Sequence, residues 1–359
     1  MSVYYAIFVF SLLLCKIIPC NNQKQYLNKL LLVFMPLFIF GALRVDFGMD
    51  YSVYEMEYYD VHSFGRIDNT LHSEVGYQLL EIIMPSWRSL LVLTSFATCM
   101  SWVFILYKYV SRQYLYFALV LFFIAGNFTF FTPIVSMRNG LAISCMLFST
   151  ELIIKRKYLI ALVVAFLAHY IHSSILLFMP IAILVGSSTV LTRKEVHIWI
   201  LAVVILVLLG TTRILQYVTG FLSLYFDRYE VVLEEMKESS HNSLLVILAN
   251  IILGSVLLYQ MYINRNILDR AGNSIYRIGL IYLICPLLGP MGSTRMQCYF
   301  LPFFIVALVK MYSLPWHNKA LKFGYYTLVI SYYLYSFFYV WQWNNPYFDF
   351  QTYKSVLGG

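Results

Sequence analysis

The chain has 359 residues, of which 61% are hydrophobic and only 12% charged, with a formal charge of +8 and a mean hydropathy of +0.73. A water-soluble domain carries about 25% charged residues, so half that value excludes an ordinary hydrated surface. In a membrane protein the distribution of positive charge says more than its sum, which removes nucleic acid as the default partner.

A membrane crossing needs about 20 mostly apolar residues. In chain order such segments fall at Ser2–Ile18, Leu27–Leu43, Ser89–Val110, Tyr114–Thr132, Asn139–Ile154, Tyr158–His169, Ile171–Val185 and His197–Thr212. They continue at Ser243–Tyr262, Ser274–Leu288, Met296–Met311 and Leu321–Trp341. The pattern predicts an all-α integral membrane protein of about 12 transmembrane helices, forming a single polytopic domain over residues 1–359. The first segment has no small-residue cleavage site after it and reads as a retained span. Tyr158–His169 and Ile171–Val185 are short and meet around His169 and His172, which fits two short tilted spans or one re-entrant hairpin.

The connections set the orientation. Lys16–Lys29, Lys108–Arg112, Glu151–Lys157, Arg193–Glu195, Arg265–Arg277 and Lys310–Lys322 together hold 16 of the 25 basic residues but only 3 of the 17 acidic ones. So strong a Lys/Arg bias places this set in the cytoplasm and both termini outside. Two outside segments, about 44–88 and 213–242, are longer than a connection requires and dense in Tyr, Phe, Val and Leu. Within them, Val75–Ser86 and Arg228–Lys237 have the apolar spacing of short interfacial helices.

The unusual residues gather on that outer side. Arg44 sits between Gly41 and the pair Asp46 and Asp50; it reads as a snorkelling anchor or as an oriented guanidinium. Arg138 opens a span, where a positive charge opposes the helix dipole, and an anionic ligand at the same helix N-terminus would offset it. Arg228 follows Asp227, and Arg295 follows a Gly-rich turn. Basic residues here run against the orientation rule, and several guanidiniums together suit phosphate or pyrophosphate oxygens; pairing with outer Asp and Glu is the alternative. His169, His172, Ser173 and Ser174 form a polar turn at membrane depth, where ionisable groups usually face a cavity or a partner. Glu74 stands in the His72–Tyr77 stretch, and tyrosines such as Tyr51, Tyr54, Tyr77, Tyr229 and Tyr347 offer flat faces of the kind that stack on sugars. No P-loop, zinc-type spacing or dinucleotide fingerprint is present, and Asp46 with Asp50 is a weak metal pair. The six cysteines lack metal or disulfide-scaffold spacing.

The stretch Gly41–Tyr59 (GALRVDFGMDYSVYEMEYY) resembles the signature of the EpsG-like branch of Wzy-type polysaccharide polymerases. Glu74–Tyr77, the Arg-Asn-Gly-Leu-Ala helix start at Arg138, the turn Lys155–Lys157, His172–Ser174, Arg295 and Asn345–Tyr347 match in the same order. The resemblance implies a GT-C-like, metal-independent glycosyltransferase without a cofactor, in a bacterial cytoplasmic membrane. Such an enzyme transfers a growing glycan from undecaprenyl pyrophosphate to the non-reducing end of a lipid-linked oligosaccharide repeat unit at the outer face. Its partners are those two lipid-linked substrates and membrane lipids, with a flippase and a chain-length regulator expected beside it. In this reading Arg138 and Arg295 hold the donor pyrophosphate, with Arg44 or Arg228 helping. His172 is the first choice of general base, because an imidazole titrates near operating pH; Glu74 and Asp50 are the reserves. The alternatives are an oligosaccharide ligase and a lipid-linked oligosaccharide flippase.

Overall fold

The computed structural model describes residues 2–48, 50–67, 73–186, 192–211, 244–286, 294–342 and 354–355. They gather into two compact units, Met1–Leu184 with Tyr333–Gly359, and Val185–Tyr332. Among the described residues, each apolar segment anticipated from the sequence falls wholly or largely on helix.

In the first unit the elements are α1 (Ser2–Ile17), α2 (Gln23–Leu43), α3 (Tyr51–Phe64), α4 (Val75–Ile83) and α5 (Trp87–Tyr109). After these come α6 (Leu115–Ile124), α7 (Thr132–Val135), α8 (Met137–Ile154), α9 (Tyr158–His169) and most of α10 (Ile175–Gly186). Capping follows ordinary chemistry: the Asn22 side chain accepts from the Gln25 N–H at the start of α2, and Ser86 does the same for Ser89 at the start of α5. α2 and α5 pack along their length, with α1 against α2, α8 against α5 and α9 against α8. Between α6 and α7 the chain makes a π-helical turn (Asn127–Phe131), and the two arms meet at 87°. Pro133 in the first turn of α7 explains why the helix restarts there instead of running straight.

The long segment 44–88 was expected to carry one short helix, and α4 is that helix, ending at Ile83. The structure adds α3, whose Tyr51, Tyr54 and Tyr58 face inward at helical spacing. These rings join Tyr77, Trp87, Leu90, Leu91, Met137 and Leu141 in one buried cluster that ties α3 and α4 to α5 and α8. A two-residue antiparallel pair sets β1 (Arg44–Val45) against β2 (Lys354–Ser355), bringing the end of the chain back to the end of α2.

The second unit holds α11 (Arg193–Thr211), α12 (Leu244–Ile263), α13 (Arg270–Ile284), α14 (Thr294–Ser313) and most of α15 (Lys319–Gln342). α13 lies against α14 so closely that a Cβ on Gly279 would fall 3.0 Å from the backbone of Phe304. Arg277 is fully buried in α13 and donates to both carboxylate oxygens of Glu195, from Nε to one and from Nη2 to the other, the latter at 3.0 Å. The charge pattern places both among surface connections; in the structure they form a bidentate pair in which Arg277 is buried and Glu195 partly exposed.

This is a helical membrane protein. Among the described residues, length and hydropathy single out three helices able to cross a bilayer alone, α2, α5 and α8, and a fourth candidate in the bent pair of α6 with α7. That is fewer than the twelve crossings expected from apolar content. α9 and α10 have 12 residues each, or about 18 Å at 1.5 Å per residue. That is short of the roughly 30 Å apolar layer and suits the arms of a re-entrant hairpin.

Candidate functional site

Three segments far apart in sequence meet at one end of the α2, α5 and α8 bundle. The first is the approach to α4, which holds Glu74. The second is the start of α8, which holds Arg138. The third is the turn between α9 and α10, which holds His172 and Ser173.

Gly76 makes the meeting possible. Its N–H donates to the carbonyl of Tyr170 at 2.7 Å, and a Cβ there would sit 2.7 Å from that same oxygen. Only glycine lets the two backbones approach this closely. The His172 and Ile171 N–H groups both bond to the carbonyl of Ala168, which closes the turn on the end of α9. A second close approach fixes α8: a Cβ at Gly140 would lie 2.0 Å from the carbonyl oxygen of Pro133 in α7.

Glu74 is the hub. Its Oε2 accepts from Arg138 Nη1 at 3.0 Å. Its Oε1 lies 3.3 Å from His172 Nδ1 and accepts from the Ser173 N–H at 3.1 Å and the Ser173 hydroxyl at 3.2 Å. Burial would push the Glu74 carboxyl upward, but the hydrogen bond and charge of His172, the Ser173 N–H and the Arg138 charge outweigh it and hold the group at about 2. Glu74 is therefore a carboxylate at any physiological pH. With Nδ1 protonated, His172 donates to that carboxylate and presents Nε2 as an acceptor. The side chains of Glu74, Arg138 and His172 are 12%, 18% and 20% exposed, so the cluster is shielded yet reachable.

Arg138 also donates from Nε to the Tyr54 hydroxyl at 3.4 Å, and its Cζ lies 5.4 Å from the centre of that ring. Its charge at the start of α8 was expected to be offset by a bound anion. Glu74 supplies a counter-charge from within the chain, which is the ion-pair alternative left open by the sequence.

The other anticipated residues are distributed as follows. Asp50 accepts from the Ser136 hydroxyl at 3.2 Å, which joins the start of α3 to the residue before α8. Arg44 is buried: Nη1 donates to the Gly41 carbonyl at 2.7 Å and the Ser95 hydroxyl at 3.2 Å, and Nη2 to the Ile134 carbonyl at 2.8 Å. It braces α2, α5 and α7 and is no snorkelling side chain. Tyr51, Tyr54 and Tyr77 are core residues. Arg295 falls in the first turn of α14, in the second unit, and its side chain lies outside the described residues. Arg228, Tyr229 and Tyr347 also lie outside them.

Sequence reasoning missed two carboxyl groups. Glu57 on α3 and Glu81 on α4 are both buried, and both lie within electrostatic reach of Arg138. Burial first, and the neighbouring Glu57 second, push the Glu81 carboxyl up to about 8. A signal was present: Glu81 stands four residues after Tyr77 and three after Gln78, on the one face of α4 that the core covers. Ser173 was noticed only as part of a polar turn.

No curated protein and no solved structure matches the chain. A family model does match it, over residues 28–355, nearly the whole length and including every segment of the cluster. The chain belongs to the EpsG family.

Proposed function

We propose that the chain is a lipid-linked glycan polymerase whose reaction centre is the Glu74, Arg138 and His172 cluster. What carries the reading is that one ionised carboxylate joins a guanidinium and an imidazole from three separate segments, in a member of the EpsG family. The reaction is transfer of a growing glycan from undecaprenyl pyrophosphate to a hydroxyl at the non-reducing end of a lipid-linked repeat unit, on the outer side of the cytoplasmic membrane.

In this reading the acceptor hydroxyl gives its proton to His172 Nε2 as its oxygen bonds to the anomeric carbon of the donor. The bond between that carbon and the pyrophosphate oxygen breaks, and the electron pair leaves with the lipid pyrophosphate. Arg138 stabilises the charge that develops there, the largest single contribution in many group transfers. Glu74 orients the imidazole and favours the imidazolium that forms, as a carboxylate does beside a catalytic histidine. General-base assistance of this kind is worth about 10²–10⁴-fold. For Arg295 and Arg228 as pyrophosphate ligands, and Tyr229 and Tyr347 as glycan contacts, the support is the sequence alone. Asp50, Arg44, Tyr51, Tyr54 and Tyr77 position the cluster.

The test is the polymer ladder of cells whose own copy is deleted and replaced by wild type or by Arg138→Ala. Wild type restores long chains, whereas Arg138→Ala leaves single repeat units on the surface acceptor with normal amounts of protein in the membrane. Full-length polymer retained on its lipid carrier would make the chain a ligase. Repeat units trapped on the cytoplasmic side would make it a transporter.

A further inference from the structure

At the opposite end of the α2 and α5 pair from Glu74, a cavity of about 650 Å³ opens between three segments. Its basic lining comes from Lys16 at the end of α1, Lys29 in the second turn of α2, and Arg112 just beyond α5, with Ser111 and Gln113 beside Arg112. No carboxylate lines it, and among the described residues none pairs with any of the three cations. Lys29 stands 14 residues before the last residue of α2, Leu43, which puts it about 21 Å along the helix axis from the Arg44 end.

The walls are fixed. The Tyr26 hydroxyl donates to the carbonyls of Val110 at 2.9 Å and Leu106 at 3.2 Å, pinning the start of α2 to the end of α5. The Ser11 hydroxyl donates to the Val33 carbonyl at 3.0 Å, pinning α1 to α2. A role in orienting the chain explains the sign of these residues, and Lys16 also complements the C-terminal dipole of α1. Neither explains why three cations from separate segments converge on one concavity. Beside it the surface is apolar and open: Ile17 is 73% exposed, and Leu13 and Leu32 are also exposed.

We propose that this cavity binds the phosphate of an anionic phospholipid of the leaflet at that end, with the acyl chains lying along the exposed side chains of α1 and α2. Lys and Arg supply charge-assisted hydrogen bonds to phosphate oxygens, and basic pockets between spans are a known form of headgroup site. The site is separate from the Glu74 cluster, and the proposal does not depend on the reaction assigned there.

The test is native mass spectrometry of the full chain, delipidated in detergent and titrated with phosphatidylglycerol or phosphatidylcholine. Wild type should retain phosphatidylglycerol at least about tenfold better, in keeping with the charge-assisted contacts. The combined Lys16→Gln, Lys29→Gln and Arg112→Gln substitution should erase that preference. A control with equal charge loss elsewhere, Lys157→Gln, Lys194→Gln and Lys319→Gln, should keep it. Competition by inorganic phosphate at concentrations equal to the lipid would support the same anion site with a soluble phosphate as its source. Undiminished preference in the first variant, or equal loss in the control, would overturn the proposal.

Discussion

Glu74 does two jobs with two oxygens: Oε2 neutralises Arg138 and Oε1 orients His172 and the Ser173 turn. Replacing it with glutamine keeps the size and removes the charge. Glu74→Gln should therefore cut turnover by about 10²-fold or more, the range for a general base deprived of its orienting partner, while the protein still accumulates in membranes. Near-normal turnover in that variant would remove Glu74 from the account. Because its group is held at about 2, Glu74 contributes stability that is present above the ordinary carboxylate range and lost only as pH falls toward 2. Acid loss of activity above about pH 5 thus belongs to another group.

Glu81 behaves oppositely. Its carboxyl is raised to about 8, so the stability it contributes is complete below its unfolded pKa and is lost as pH rises through about 8. Thermal unfolding in detergent should fall between about pH 5 and pH 9, and Glu81→Gln should flatten that slope. Identical slopes in the two proteins would show that Glu81 does not control it.

At the scale of elements, the site depends on how closely the α4 approach meets the α9–α10 turn. Gly76→Ala places a methyl group 2.7 Å from the Tyr170 carbonyl oxygen, and the backbone on either side must shift to admit it. A displacement of about 1 Å at a reacting group costs about 10²-fold, so polymer output should fall by that order with protein levels unchanged. Output equal to wild type would mean the approach is not needed. Periodicity made the helices legible, because apolar runs and their caps are local properties. It also made α4 legible, but not α3, whose inward tyrosines read as stacking surfaces until packing showed them as core. Arg138, Glu74 and His172 were each visible as misplaced polar residues. Their meeting was not, since it rests on contacts between residues nearly a hundred positions apart, the Gly76 N–H on the Tyr170 carbonyl and Glu74 on His172. Arg44 shows the limit from the other side: its odd charge is satisfied by carbonyls of α2 and α7 that no local pattern reveals.

Across the whole molecule, the family and the membrane character were both readable, since short motifs in fixed order and long apolar runs survive without tertiary information. The expected count of about 12 crossings is not confirmed: among the described residues, length and hydropathy single out three helices and the bent pair of α6 with α7, and apolar length alone does not separate a full span from a short arm such as α9. The polymerase centre proposed at one end of the α2 and α5 pair makes a stoichiometric claim that can be measured directly. Purified protein in proteoliposomes, supplied with a lipid-linked repeat unit, should build a ladder and release one polyprenyl pyrophosphate for each unit added, and Arg138→Ala should abolish both. A ladder that Arg138→Ala leaves intact, or release without chain growth, would contradict the assignment.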